Sequence, residues 1–231
     1  MSQLSNTSLF NHANLVAYYK LETGALTTDS KGSYTLTNQG SIGETTGKYG
    51  VAGDPGNPNG DNGLLYRTAS IPALTGNFSF SGWFNWYDAS GGTLVGWCDT
   101  TNDVFIRCGY DGTNIVFYRV KSGVAQQGPT YVFTPTVGRW YHVGMTYDGT
   151  NVRGYVDGAL VAGPTAASGN GSVNETSGIG LGIDGQAFGA LTTTSTIKWD
   201  DVGIFTEALT AAEMLEHYTD PPIGGFIYMS N

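Results

Sequence analysis

Alternation of apolar and polar positions governs most of the chain. From Phe78 to Trp86 every second residue (Phe78, Phe80, Gly82, Phe84, Trp86) falls on one face of an extended strand. Gly138 to Gly158 reads as two strands and two turns. Trp140, Tyr141, Val143, Met145 and Tyr147 suit a pleated surface, and Asp148-Gly149 and Asp157-Gly158 tolerate positive φ in tight hairpins. Further short runs at 15–21, 64–70, 93–98, 104–109, 115–120, 131–133, 178–183 and 197–205 are bounded by turn residues. Residues 53–63, rich in Gly and Pro, predict a loop, and 158–177 predicts a loop-rich stretch with one short strand at its start.

A single helix is predicted near 206–219. Thr210 and Glu213 have capping-box spacing, Leu209 and Met214 fit a hydrophobic staple, and Pro221-Pro222 ends the element. Met214 and Leu215 are expected to pack on the strands. The pattern therefore predicts an all-β chain: two antiparallel sheets face to face, with one short C-terminal helix. Phe80, Trp83, Trp140, Val143, Ile204 and Phe205 are expected in the core. Tyr110–Asn114 and Tyr147–Asn151 share the sequence Tyr-Asp-Gly-Thr-Asn, which reads as one hairpin chemistry used twice, since the flanks differ.

Composition narrows the function. The chain has 231 residues and a net charge of −9, and only 13% of residues are charged, about half the usual quarter. Its surface must be built from Ser, Thr, Asn and Gly, which suits neutral hydrogen-bonding ligands such as sugars, or close packing in an assembly. The acidic balance disfavours nucleic acid, which needs basic patches. No apolar run is long enough to predict membrane insertion, and the N-terminus shows neither the basic nor the apolar region of a secretory signal. The four Asn-x-Ser/Thr matches, at Asn6, Asn77, Asn170 and Asn174, are expected by chance in so polar a chain.

Three motifs carry a resemblance. The first is Trp140-Tyr141-His142-Val143 leading to Thr146-Tyr147-Asp148-Gly149 and Tyr155-Val156-Asp157-Gly158. The second is the strand around Phe80 to Phe84, preceded by the turns Asp29-Ser30-Lys31-Gly32 and Leu36-Thr37-Asn38-Gln39-Gly40. The third is Asp201-Val202-Gly203-Ile204-Phe205 followed by Ala208-Leu209-Thr210 and Glu213. In this order they resemble the laminin-G-like jelly rolls of the concanavalin A-like lectin/glucanase superfamily, from about Leu15 to Tyr218. The resemblance implies a jelly-roll domain over 15–220, between an N-terminal arm (1–14) and a C-terminal tail (221–231). It also implies a binding role, since the fold mostly hosts binding modules. Relatives often carry one calcium ion, for which Asp29 and the neighbours Asp200 and Asp201 are the candidates.

Other chemistries fare worse. Glucanase relatives place carboxylates alternately on one strand, and no Glu here has an acid at that offset. Asp200 and Asp201 are adjacent, so on a regular strand they point to opposite faces. No nucleophile elbow occurs, and the three histidines (His12, His142, His217) fall in an arm, a strand and a helix end. His142 reads as a hydrogen-bonded structural residue. Zinc is not predicted, for want of a Cys/His cluster. Cys98 and Cys108 could face each other across a hairpin as a disulfide, or be two small buried residues.

The candidate ligand residues lie at strand ends and in one Gly-rich loop: Trp86, Asp88, Trp97, Tyr110, Asp184, Gln186 and Phe188. The expectation is a non-catalytic glycan-binding or adhesion module displayed on a surface, of a virion or a cell. A structural phage capsid-decoration or fibre subunit is the alternative, and a glycoside hydrolase the weaker one. Isolated apolar residues in the arm (Leu4, Leu9, Phe10) and the tail (Ile223, Phe226, Ile227, Tyr228) predict contacts with other subunits, in a homo-oligomer or a larger assembly.

Overall fold

The computed structural model of the chain describes residues 7–56, 63–67, 76–99, 104–120, 127–167, 178–182 and 196–219. Fifteen strands occur among these residues: β1 (Leu15–Tyr19), β2 (Thr37–Gln39), β3 (Gly43–Thr46), β4 (Val51–Asp54), β5 (Leu64–Arg67), β6 (Phe78–Trp86), β7 (Gly92–Asp99), β8 (Val104–Tyr110), β9 (Asn114–Val120), β10 (Thr130–Val132), β11 (Trp140–Tyr147), β12 (Asn151–Val156), β13 (Ala159–Ala166), β14 (Gly178–Leu181) and β15 (Ile197–Phe205). One helix, α1 (Ala211–Tyr218), follows β15, and Ser8–Asn11 forms one 3-10 turn before β1. β2 and β3 lie outside the predicted runs. β4 takes Gly53 and Asp54 from the predicted loop, and β13 is longer than expected. Each gains its backbone partners from a neighbouring strand, a tertiary effect that overrides weak local signal.

The strands form two antiparallel sheets. The first runs β13-β12-β11-β6-β15-β4-β3, with β1 also paired to β15; the second runs β10-β9-β8-β7-β14-β5-β2. The sheets face each other through the predicted alternation. Phe78, Phe80, Phe84 and Trp86 of β6 meet Val95 and Trp97 of β7, Ile106 and Cys108 of β8 and Ile115 and Phe117 of β9 in one buried cluster. Phe78 sits edge-on to Trp97 at 5.0 Å between centroids, and Trp86 edge-on to Tyr110 at 6.1 Å. Burying each Phe-sized side chain stabilises the fold by about 1.5–3 kcal/mol. Gly154 is obligatory here: a Cβ would lie 2.3 Å from the Phe117 ring.

β6 is buried along its whole length because its second face is covered too. A separate apolar cluster of Leu9, Leu15, Tyr18, Tyr155, Phe205, Leu209 and Met214 seals the outer face of the first sheet beneath α1 and the N-terminal arm. The helix has the predicted capping box: the Glu213 N–H donates to the Thr210 hydroxyl, and the Glu213 carboxylate accepts from the Thr210 N–H.

Several expectations change. Trp140 is only half-buried. It lies at the start of β11 opposite Asn85, where the strand leaves the sandwich. Leu215 is 47% exposed, because α1 docks through Met214 and His217 instead. Leu9 is buried against its own domain, so this part of the arm completes the fold rather than offering itself to another chain. Residues 1–6 and 220–231, with the rest of the arm and the tail, lie outside the described residues. Cys108 is a free, buried thiol. In the β7–β8 register it stands opposite Val95, and the Cys98 position stands opposite Phe105.

Candidate functional site

β15 changes partners part-way along. Its edge pairs with β4 at Trp199 and with β1 from Val202 onward. At the change, the register against β6 slips by one residue between Asp200 and Gly203, a bulge that places Asp201 at a positive φ of 57°. The bulge overturns the opposite-face reading of the two aspartates. Asp200 stands opposite Trp83, and Asp201 reaches the network that Ser81 anchors two residues earlier on β6, so both acids occupy the outer face.

Asp201 ends a fully buried polar chain. The Ser81 hydroxyl lies 2.7 Å from His142 Nε2 and 2.6 Å from His217 Nδ1, His217 Nε2 lies 3.2 Å from Asp201 Oδ2, and the Tyr18 hydroxyl donates to Asp201 Oδ1. One proton order satisfies every donor. His142 Nε2–H donates to Ser81, Ser81 O–H to His217 Nδ1, and His217 Nε2–H to Asp201. Only a lone pair at His142 Nδ1 is then unpartnered, a smaller cost than an unpartnered N–H. Burial first, and then the neighbouring His217, push the His142 pKa well below the usual histidine value, so this ring is neutral. Ser81, His217 and Asp201 are the residue types of a nucleophilic triad, but all three are sealed under α1 with no exposed surface. They hold the helix and give substrate no access. The sequence could not bring them together, since they sit on three elements up to 136 residues apart.

Asp200 differs. Its Oδ2 accepts the Tyr49 N–H at 2.9 Å, while Oδ1 is buried without a hydrogen-bond partner. Burial is the largest influence on its carboxyl, with Asp201 and Glu22 adding repulsion, and they raise the pKa to about 9. The 47–50 turn wraps both this group and Glu22. A Cβ on Gly47 would lie 2.6 Å from Asp200 Oδ2, and one on Gly50 2.9 Å from Glu22 Oε2. An open, buried carboxylate oxygen near a second carboxylate and close-packed backbone fits a calcium ion. Asp29 does not fit one. Its Oδ1 accepts from the Tyr18 and Lys31 N–H groups and its Oδ2 from the Tyr34 N–H, so it caps its turn.

The predicted ligand residues are scattered. Trp86, Trp97 and Tyr110 are at most 2% exposed, and their rings belong to the inter-sheet core. Asp88 is half-exposed and caps its own turn, accepting from the Ser90 N–H and hydroxyl. Asp184, Gln186 and Phe188 lie outside the described residues. Beside Trp86 the ring exposed in part is Tyr87, whose hydroxyl donates to Asp54 and whose face carries Lys198 Nζ at 4.3 Å. Burial and Asp54 raise the Tyr87 pKa strongly, which keeps the hydroxyl a donor.

The outer face of the second sheet carries an arrangement no single strand reveals. Register aligns Tyr118 of β9 with Arg107 of β8, Arg107 with Gly96 of β7, Gly96 with Gly180 of β14, Gly180 with Tyr66 of β5, and Tyr66 with Thr37 of β2. Alternating neighbours Ile106, Cys108, Val95, Trp97 and Leu65 face the core, so this row faces outward. Tyr118, Arg107 and Tyr66 are half-exposed and Thr37 exposed, while the two glycines between are buried and add no side chain. The result is a dip bounded by aromatic rings and a guanidinium. At about 4.8 Å per strand step it spans about 19 Å from Tyr118 to Tyr66.

A family model described as the concanavalin A-like lectin/glucanases superfamily matches residues 58–214, more than half of the chain. The chain belongs to that superfamily. Among solved structures it is similar to domain 4 of AbnA, an extracellular arabinanase from Geobacillus stearothermophilus, in complex with arabinotriose. That match has 19% identity and a TM-score of 0.66, and covers 89% of this chain and 98% of the other. It is also similar to the botulinum neurotoxin serotype D ligand binding domain in complex with N-acetylneuraminic acid (13% identity, TM-score 0.61, covering 94% and 52%). A third is the heptameric SAP-like pentraxin from Limulus polyphemus (12% identity, TM-score 0.53, covering 68% and 75%). The chain thus spans about half the length of the neurotoxin domain. At these identities the likeness is one of fold. No curated protein matched the chain. The family match and the shared fold make the jelly roll a lectin-like scaffold.

Proposed function

We propose that the protein is a non-catalytic module that binds a neutral oligosaccharide across the outer face of its second sheet. The observation that carries this reading is the row Tyr118–Arg107–Gly96–Gly180–Tyr66–Thr37. Half-exposed tyrosines offer apolar ring faces with a polar edge, and Arg107 and Thr37 offer hydrogen bonds. The length of the row suits several linked sugars rather than one. Among the described residues, the opposite outer face is covered by α1 and the arm and offers no comparable surface. Arabinotriose in an arabinanase domain of this fold supports the ligand class, and N-acetylneuraminic acid in a neurotoxin domain supports only the broader class of glycans.

Surface display is the setting such a module suits, on a virion or outside a cell. The rival reading, a capsid-decoration or fibre subunit, uses the same sandwich as a block and needs no sugar. A glycan array read with purified protein separates them: reproducible signal on a neutral oligosaccharide supports the module, and a blank array together with assembly onto a larger particle supports the subunit. Asp200 and Glu22 are the residues that would hold a calcium ion. The ion would neutralise two carboxylates and lock the 47–50 turn onto β15.

A further inference from the structure

We infer that His12, Glu207 and Glu213 form a binding site for a zinc-class divalent cation that clips the N-terminal arm to the start of the C-terminal helix. The three come from separate parts of the chain: the arm, the segment after β15, and the first turn of α1. His12 Nε2 lies 2.8 Å from Glu207 Oε1 and 3.6 Å from Glu213 Oε1, and the three atoms lie within 4.8 Å of one another. Ligand atoms around a tetrahedral zinc ion stand about 3.3 Å apart, so the observed separations bracket those of a bound site.

The ligands are held from behind. Glu207 Oε2 accepts from Asn14 Nδ2 at 2.6 Å, and Glu213 Oε2 accepts from the Thr210 N–H and hydroxyl at 2.7 Å each. Each glutamate therefore has one oxygen fixed and turns the other, Oε1, toward the same imidazole nitrogen, an outer-shell support typical of metal sites. The His12 backbone is tied on both sides, its N–H donating to Leu9 O and its carbonyl accepting from the Leu15 N–H, and its ring lies edge-on to Phe205 at 6.1 Å. The side chains keep 24%, 35% and 27% exposure, which leaves a path for entry and for a water as fourth ligand.

Charge argues the same way. Two carboxylates face one imidazole, and even a protonated ring leaves an excess negative charge that a divalent cation removes. Mixed nitrogen and oxygen donors select zinc-class ions over calcium, which prefers oxygen alone. Binding requires that Nε2 carry no proton. The neutral ring then keeps its one proton on Nδ1, and the long 3.3 Å bond from the Asn14 N–H to Nδ1 is given up.

The test is a calorimetric titration of the full chain with zinc chloride alone, after exhaustive chelation. One zinc ion per chain is expected, with affinity reduced at least about tenfold by His12→Ala and by Glu213→Gln, tenfold being the lower limit for losing even an outer-shell partner. Glutamine also closes a capping box, so Glu213→Gln leaves the helix intact. Nitrogen NMR of the His12 ring gives a second readout: zinc should move its proton from Nε2 to Nδ1. Asp200→Asn should leave zinc binding unchanged, which separates this site from the calcium cradle. No saturable zinc uptake, or uptake equal in the parent and both variants, would overturn the assignment.

Discussion

At the residue scale, Asp200 is the most exposed to test. In the absence of a cation its carboxyl, raised to about 9, stays protonated in the native state at neutral pH, whereas in the unfolded chain it ionises near 4. A group with a raised folded value contributes stability at low pH that is lost as pH climbs through the interval between the two. Asp200→Asn removes the ionisation while keeping an oxygen for the Tyr49 N–H. In chelator at pH 7 the variant should be more stable, by roughly 1–3 kcal/mol. Calcium should raise the melting temperature of the parent but not of the variant. A variant that calcium still stabilises would remove Asp200 from any ion site.

His142 titrates in the opposite sense. Its folded value is depressed, so its contribution is present above the unfolded value of about 6.5 and is lost at about 1.4 kcal/mol per pH unit below it. The groups around it are Ser81 from β6, His217 and Tyr218 from α1, Trp83, and, one link further, Asp201 from β15 and Tyr18 from β1. His142→Gln keeps a donor for Ser81 without the titration. The stability advantage of the parent over this variant should shrink as pH falls from 7.5 to 5.5. An advantage independent of pH would mean that His142 does not titrate as described.

At the scale of elements, α1 docks by close approach. A Cβ on Gly144 would stand 2.6 Å from Met214 Sδ, so β11 admits the helix only where it lacks a side chain. Gly144→Ala should cost about 1–3 kcal/mol by denaturant titration, as overpacking does. Thr210→Ala should cost about 1 kcal/mol by the same measurement, through loss of the cap. The helix, its cap and the long strands β6, β11 and β15 were legible in the sequence because their signals are local: alternation, turn dipeptides and capping spacing. β2, β3 and β4 were not, since short strands with exposed or mixed patterns exist only through their partners. The bulge that turns Asp200 and Asp201 to one face was also hidden, because it arises where β15 exchanges β4 for β1.

At the scale of the whole molecule, the two outer faces divide the work. One is closed by a helix, an arm and a buried polar chain. The other presents a row that crosses six strands and takes its side chains from four of them, which no reading of one strand at a time could assemble. The aromatics that stand at strand ends in the sequence, Trp86, Trp97 and Tyr110, are core residues in the fold. Tyr66 and Tyr118 gave no signal apart from register. The most direct measurement of the central claim is a binding titration of a neutral oligosaccharide chosen from the glycan array, with the parent protein, Tyr66→Ala and Tyr118→Ala, in solution conditions that also monitor the sugar for cleavage. The account predicts binding by the parent without turnover, and affinity about tenfold weaker in each variant, equivalent to about 1.4 kcal/mol. Undiminished binding in both variants, or cleavage of the bound sugar, would contradict it.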